Sequence, residues 1–262
     1  MTVLEAIILG VLQGFTEFLP VSSSGHLLLL QRVFGIEEGL LTFSIVVHIA
    51  TLIPVLFIYY NRIRSLVTRP FQKMTLLLIL GTLPTVVAVL LFDDLIDELF
   101  TGNFLAWGFI LTGLLLIITD RYKKGAKSSD DISKIDAVFI GLTQALAIVP
   151  GVSRSGSTLF GAVVRDIDRK SALNFSFLLS IPAIAGGTVL EIRQILVGQT
   201  ELGFIFTAPV IIGFLAAMIS GYIAIKLMLK IVAASKLSYF AYYLISVALL
   251  ILIDQYFTNF IF

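Results

Sequence analysis

Six long stretches of this chain carry almost no charge: Leu40–Tyr60, Thr75–Phe92, Phe104–Thr119, Ala172–Leu190, Phe204–Leu229 and Ser238–Ile253. A helix needs roughly 20 apolar residues to cross a bilayer, and in lipid each backbone N–H and C=O must be paired inside the segment. The pattern therefore predicts an all-α polytopic membrane protein. Composition agrees, with 58% hydrophobic and 13% charged residues and a mean hydropathy of +1.03, against about 25% charged in soluble domains. A net charge of +1 points to neither nucleic acid nor a strongly anionic partner. The chain has no cysteine, which excludes disulfides and thiolate metal sites, and its two histidines, His26 and His48, are too few for a His-rich cluster. Met1–Ser24 holds Glu5 and Glu17 but no Lys or Arg, so a cleaved signal peptide is not expected.

Two further apolar regions are interrupted. Val3–Phe34 is broken by Pro20 and Ser22-Ser23-Ser24-Gly25; Ile135–Val164 is broken by Pro150-Gly151 and Ser153-Arg154-Ser155-Gly156. Each divides into two half-length helical pieces around a polar elbow. Such backbone is tolerated at membrane depth only where protein or water surrounds it, so both regions read as re-entrant helical hairpins. Lys and Arg concentrate in Arg62–Lys73, Arg121–Lys134, Arg165–Lys170 and Lys226–Lys236. Gly35–Gly39 and Asp93–Asn103 hold none, and Glu191–Gly203 holds only Arg193. The positive-inside rule assigns the basic group to the cytoplasm. The alternation closes only if each broken region returns to the side it came from, with hairpin one entering from outside, hairpin two from the cytoplasm, and both termini outside. Tyr59, Tyr60, Tyr122 and Tyr239 then fall at cytoplasmic ends and Trp107 near an outer one, as an aromatic belt requires.

The hairpins are related. A shift of 131 positions aligns Gly10 with Gly141, Gln13 with Gln144, Val21 with Val152, Ser22 with Ser153, Ser24 with Ser155 and Gly25 with Gly156; a shift of 132 aligns Phe43-Ser44 with Phe175-Ser176. One hairpin plus three spans makes a repeat, and three is odd, so the second copy is inverted. The expectation is a single integral membrane domain over 1–262: six transmembrane helices plus two re-entrant hairpins, with repeat one at about 1–119 and repeat two at about 135–262.

Glu17 and Gln13 are four residues apart and share a helix face, as do Gly10 and Gly14. An ionisable residue at this depth marks a functional site by default; the lesser alternative is that Glu17 serves Arg154 as a structural partner. Ser22, Ser23, Ser24 and Gly25 offer hydroxyls and a backbone nest for an anion; a serine there is also an ordinary N-cap. His26 adds an imidazole. Arg154 lies amid apolar sequence with a planar fork suited to phosphate, flanked by Ser153, Ser155, Gly156 and Ser157. The second elbow also resembles a phosphate-binding Gly-x4-Gly-x-Thr loop, but Ser157 stands where that loop has lysine and no parallel-sheet pattern surrounds it, which rejects nucleotide binding. His48, Gln144 and Asn174 read as structural hydrogen-bonding residues, and Pro182 and Gly186-Gly187 as kink and packing devices. Two elbows facing each other would combine carboxylate, serines, imidazole and guanidinium, an inventory for phosphoryl transfer.

Gly14–His26 and Pro150–Thr158 resemble the two signatures of the undecaprenyl-diphosphate phosphatases, or bacitracin-resistance proteins, and Ser171–Pro182 resembles the stretch that follows in that family. The resemblance covers nearly the whole chain. It implies a bacterial inner-membrane enzyme that hydrolyses undecaprenyl diphosphate to undecaprenyl phosphate and phosphate, recycling the lipid carrier of peptidoglycan and other envelope polymers and conferring bacitracin resistance. It also implies a divalent cation, Mg or Ca, and a homodimer among membrane lipids. The family's essential glutamate, serine, histidine and arginine match Glu17, Ser23, His26 and Arg154, with Glu17 as metal ligand. Members often carry a second glutamate where this chain has Gln13. The expected substrate contacts are Gln13, Ser22, Ser24, Gly25, Ser153, Ser155, Gly156 and Ser157. Ser23 is expected as nucleophile with His26 as its base; the alternative is His26 activating water, with Ser23 only binding. The outward entrance of hairpin one implies an active site reached from the outer side. Broken helices in inverted repeats also belong to transporters, so a polyprenyl-phosphate flippase is the competing class. A lipid phosphatase of the Ser-Gly-His acid-phosphatase type is weaker, because no second histidine follows Arg154.

Overall fold

The computed structural model describes residues 1–36, 40–92, 98–99, 102–122, 125–198, 207–234 and 236–262. Among them the chain is helical: α1 (Val3–Phe18), α2 (Ser23–Val33), α3 (Leu40–Ile58), α4 (Tyr60–Thr68), α5 (Lys73–Leu91), α6 (Leu105–Arg121), α7 (Lys134–Ala145), α8 (Arg154–Val164), α9 (Arg169–Gly198), α10 (Ala208–Ala234) and α11 (Ser238–Ile253). Extended pairing among the described residues is limited to one bridge between Lys127 and Ile167. Long apolar helices dominate: α5, Arg169–Val189 of α9, Ala208–Ile231 of α10, and α11 with its terminal turn are each long and apolar enough to cross a membrane. Pro54, Pro84 and Pro182 lie inside α3, α5 and α9, as membrane helices permit when neighbours re-satisfy the freed carbonyls.

The stretch Leu40–Tyr60 forms α3, which stops two residues short at Ile58, where the chain turns through 85° into α4. One expectation is corrected. Among the described residues Gly186-Gly187 packs against no other element, because outside its own helix backbone no described atom lies within 4 Å of a Cβ built on either residue. Much of the basic-poor segments Gly35–Gly39, Asp93–Asn103 and Glu191–Gly203, and the start of Phe204–Leu229, lie outside the described residues.

The interrupted regions fold as helix–elbow–helix units. α1 ends at Phe18; the chain turns through Ser22, held at φ +68°, and restarts at Ser23. α7 passes through a short 3₁₀ turn at Leu146–Ile148, then Gly151 at φ +88°, and α8 starts at Arg154. Ser22 and Ser153 cap the new helices by accepting from Gly25 N at 3.4 Å and Gly156 N at 3.1 Å. α2 and α8 are both 11 residues long.

Small residues let the hairpins enter the bundle. α1 packs most extensively on α10. A Cβ on Gly10 would lie 2.3 Å from Gly213 O, and one on Gly14 would lie 2.0 Å from Ser220 Oγ and 2.5 Å from Ala217 O. α7 meets α5 in the same way, with a Cβ on Gly141 only 2.4 Å from Gly81 O. Hydrogen bonds join neighbouring helices, from Tyr59 OH to Asn174 Oδ1 at 2.7 Å and from Gln144 Nε2 to Thr85 Oγ1 at 3.1 Å. At the basic end, buried Asp136 accepts from Lys127 Nζ at 3.1 Å and Arg165 Nε at 2.7 Å, while Asp120 ties Arg169 to the first turn of α11.

Candidate active site

The four-residue spacing of α1 sets Gln13 one turn before Glu17 on one face, and Gln13 Nε2 donates to Glu17 Oε2 at 3.2 Å. Ser23, first residue of α2, returns across the elbow so that its hydroxyl donates to the same Oε2 at 2.7 Å. Arg154, first residue of α8, reaches Glu17 Oε1 with Nη2 at 2.6 Å. Its guanidinium also approaches Glu17 O and Ser176 O, each at 3.5 Å. Both charged side chains are largely withdrawn from the surface, at 6% and 15% exposure. In so dry a setting, removing either partner leaves an uncompensated charge, a loss of about 3–5 kcal/mol.

The elbows touch directly. Ser155 Oγ donates to Leu19 O at 3.0 Å, and a Cβ on Gly25 would lie 3.0 Å from Gly151 Cα. Thr112 of α6 joins them to the scaffold: its Oγ1 accepts from Ser153 N at 2.9 Å and donates to Gly151 O at 2.9 Å. Ser153 and Ser155 hydroxyls are 3.1 Å apart, and Ser22 and Ser24 hydroxyls 3.4 Å.

His26 turns away from Ser23. Its Nδ1 donates to Ser22 O at 2.8 Å, which leaves Nε2 of the neutral ring to accept from Tyr243 OH at 2.8 Å. The ring stacks on Tyr243 and leans on Phe109, with centroids 5.6 and 4.9 Å away. The other imidazole faces the carboxylate: His48 Nδ1 donates to Ser44 O at 2.7 Å, and Nε2 lies 3.9 Å from Glu17 Oε2.

Residues 6–250 match the family profile described as bacitracin resistance protein BacA. An undecaprenyl-diphosphatase of Carboxydothermus hydrogenoformans is 46% identical over 252 residues, covering 96% of this chain and 97% of its own. Undecaprenyl-diphosphatase 4 of Bacillus thuringiensis is 43% identical over 254 residues, 97% of each chain. An undecaprenyl-diphosphatase of Halothermothrix orenii is 37% identical over 256 residues, 97% of this chain and 98% of its own. The chain belongs to the BacA family. It is a multi-pass membrane protein, by that kinship and by its long apolar helices.

Gly14–His26 and Pro150–Thr158 fall on the elbows, and the fold brings Gln13, Ser23 and Arg154 to the carboxylate of Glu17. His26 is adjacent but contacts neither Glu17 nor Ser23 through its ring nitrogens. Ser22, Ser24, Gly25, Ser153, Ser155 and Gly156 build the elbow joint, and Ser157 Oγ is buried with no partner. Sequence reasoning missed His48 as a neighbour of the carboxylate, Ser176 O as an acceptor for Arg154, and Tyr243. The paired Phe43-Ser44 and Phe175-Ser176 dipeptides held a signal, since Ser44 O orients His48 and Ser176 O meets Arg154. Nothing near Tyr243 in sequence marks it.

The fit of a divalent cation rests on few donors. No group of three or more His, Asp or Glu side chains is arranged for a metal among the described residues. Gln13 Oε1 is buried without a partner, one turn from Glu17. One carboxylate and one open amide oxygen suit a hard cation that takes its remaining ligands from phosphate and water.

Proposed function

We propose that this BacA-family chain hydrolyses undecaprenyl diphosphate to undecaprenyl phosphate and inorganic phosphate, recycling the lipid carrier of peptidoglycan and other envelope polymers and conferring bacitracin resistance. The observation that carries this reading is a half-buried guanidinium and serine hydroxyl converging on one buried carboxylate, with Arg154 Nη2 and Ser23 Oγ at 2.6 and 2.7 Å from the two oxygens of Glu17. The names borne by the relatives support the same substrate.

In this mechanism the diphosphate head group enters between the elbows and its polyprenyl tail extends into lipid. The terminal phosphate displaces Glu17 from Arg154, whose fork holds phosphate oxygens and offsets charge as it shifts in the transition state. Ser23 Oγ attacks the terminal phosphorus and passes its proton to Glu17 Oε2, already its hydrogen-bond acceptor. The bond from phosphorus to the bridging oxygen breaks, and undecaprenyl phosphate leaves. Water then cleaves the phosphoserine and releases phosphate. This moves the base role from His26 to Glu17; His26, saturated by Ser22 O and Tyr243, braces the elbow. Glu17 and Gln13 Oε1 would hold Mg or Ca, which when bound would neutralise charge on the diphosphate.

The finer architecture belongs to the same reading: six spans and two re-entrant hairpins in an inverted repeat, in the bacterial inner membrane as a homodimer, with both termini outside and the site reached from outside. Its support is the common 131-residue offset of α1 and α2 from α7 and α8, and the matching Gly10–Gly213 and Gly141–Gly81 contacts. Phosphate release from purified protein in detergent, where no gradient exists, separates hydrolysis from transport. Wild type is expected to release phosphate and to lose activity with chelator. Ser23→Ala is expected to be inactive, and a phosphoserine trapped at Ser23 in wild type would identify the nucleophile. Full turnover by Ser23→Ala would exclude that route.

A further inference from the structure

Helix α4 has no part in the site, yet its geometry is specific. It leaves α3 at 85°, and a helix that turns through a right angle at the end of a span runs along the membrane surface. None of its residues is buried, but its apolar positions share one side. At about 100° per residue, Tyr60, Ile63, Leu66 and Val67 occupy roughly one third of its circumference, and Asn61, Arg64, Ser65 and Thr68 lie on the opposite side. Ile63 and Leu66 rest against the hydrophobic core. Tyr60 and Val67 stay open, at 61% and 74% exposure, and in the link to α5 the ring of Phe71 is wholly exposed. The same segment carries exposed Arg62, Arg64 and Arg69, and no Asp or Glu occurs between Gly39 and Phe92. Exposed aromatic and aliphatic groups interleaved with arginines on a surface helix are the chemistry of the headgroup layer.

We infer that α4 and its link to α5 form an interfacial foot that binds anionic phospholipid. Tyr60, Val67 and Phe71 enter the acyl boundary, and Arg62, Arg64 and Arg69 meet headgroup phosphates. Charge complementarity selects this occupant, because the segment has only cations to offer. Each arginine near an anionic surface raises its affinity about five-fold.

The test uses the full chain in nanodiscs of phosphatidylcholine with and without phosphatidylglycerol. Trp107 is the sole tryptophan, so Phe71→Trp in a Trp107→Phe background reports on this position alone. Its indole is expected to be quenched by lipids brominated near the headgroup and shielded from aqueous iodide. Quenching by brominated phosphatidylglycerol is expected to exceed that by brominated phosphatidylcholine, and Arg64→Gln with Arg69→Gln is expected to cut that preference about five-fold or more. Free access of iodide would overturn the proposal. Shielding from both quenchers would also overturn it, since a second copy of the chain would then cover the segment. An unchanged lipid preference in the double variant would remove the anionic selectivity.

Discussion

A guanidinium and a carboxylate 2.6 Å apart inside an apolar bundle make each residue dependent on the other. Arg154→Ala and Glu17→Ala are each expected to lower kcat by about a hundred- to a thousand-fold or more, measured as phosphate release in detergent, while still inserting into membrane. Arg154→Lys is expected to recover little, because a point charge does not replace the planar fork. Retained turnover in either alanine variant would remove that residue from the mechanism. Tyr243→Phe tests His26. The variant leaves Nε2 without its partner and is expected to cost about 1–3 kcal/mol of stability, seen as a lower melting temperature, with less than about a ten-fold fall in kcat. A collapse matching Arg154→Ala would return His26 to the chemistry. Glu17 and Arg154 were legible in the sequence because charge inside apolar text is costly enough to stand out; Ser23 was singled out among Ser22, Ser23 and Ser24 only by the family resemblance. The partner of His26 was not legible, since Tyr243 lies 217 residues away on a helix whose Tyr239 already read as part of an aromatic belt.

At the scale of elements, the position of Glu17 depends on how closely α1 approaches α10. Gly14 permits it: an added Cβ would meet Ser220 Oγ at 2.0 Å and the backbone of Ala217 and Gly221 at 2.5 and 2.6 Å. Gly14→Ala is expected to cost about 1–3 kcal/mol through overpacking and to depress hydrolysis by shifting Glu17. Gly186→Ala, with open space around its Cβ, is expected to be neutral or to gain up to about 1 kcal/mol from helix propensity. Thermal denaturation of both in detergent would expose an error if Gly186→Ala proved the more damaging. The elbows were legible from Pro, Gly and Ser breaking long apolar runs. The end of α3 was legible to within two residues; the right-angle turn into α4 was not, because nothing in the Tyr59–Thr68 sequence distinguishes a surface helix from a loop before its contacts are known, and Ile63 and Leu66 pack on a core built from distant segments.

For the whole molecule, the proposed orientation rests on the basic segments, and the absence of cysteine makes it directly testable. With a membrane-impermeant maleimide on intact cells, Phe260→Cys is expected to react from outside and Ala126→Cys only after the membrane is opened. The reverse pattern would invert the topology and turn the site toward the cytoplasm.

The ion pair at the elbows has one more consequence. Before any lipid arrives, Arg154 is already satisfied by an anion the chain itself supplies. In the proposed mechanism an incoming head group must outcompete that resident, which would disfavour weak monoanions and reward the several charges of a diphosphate. Phosphate left behind after cleavage would face the same rival, so the returning carboxylate would help to evict the product and ready the cleft for its next guest.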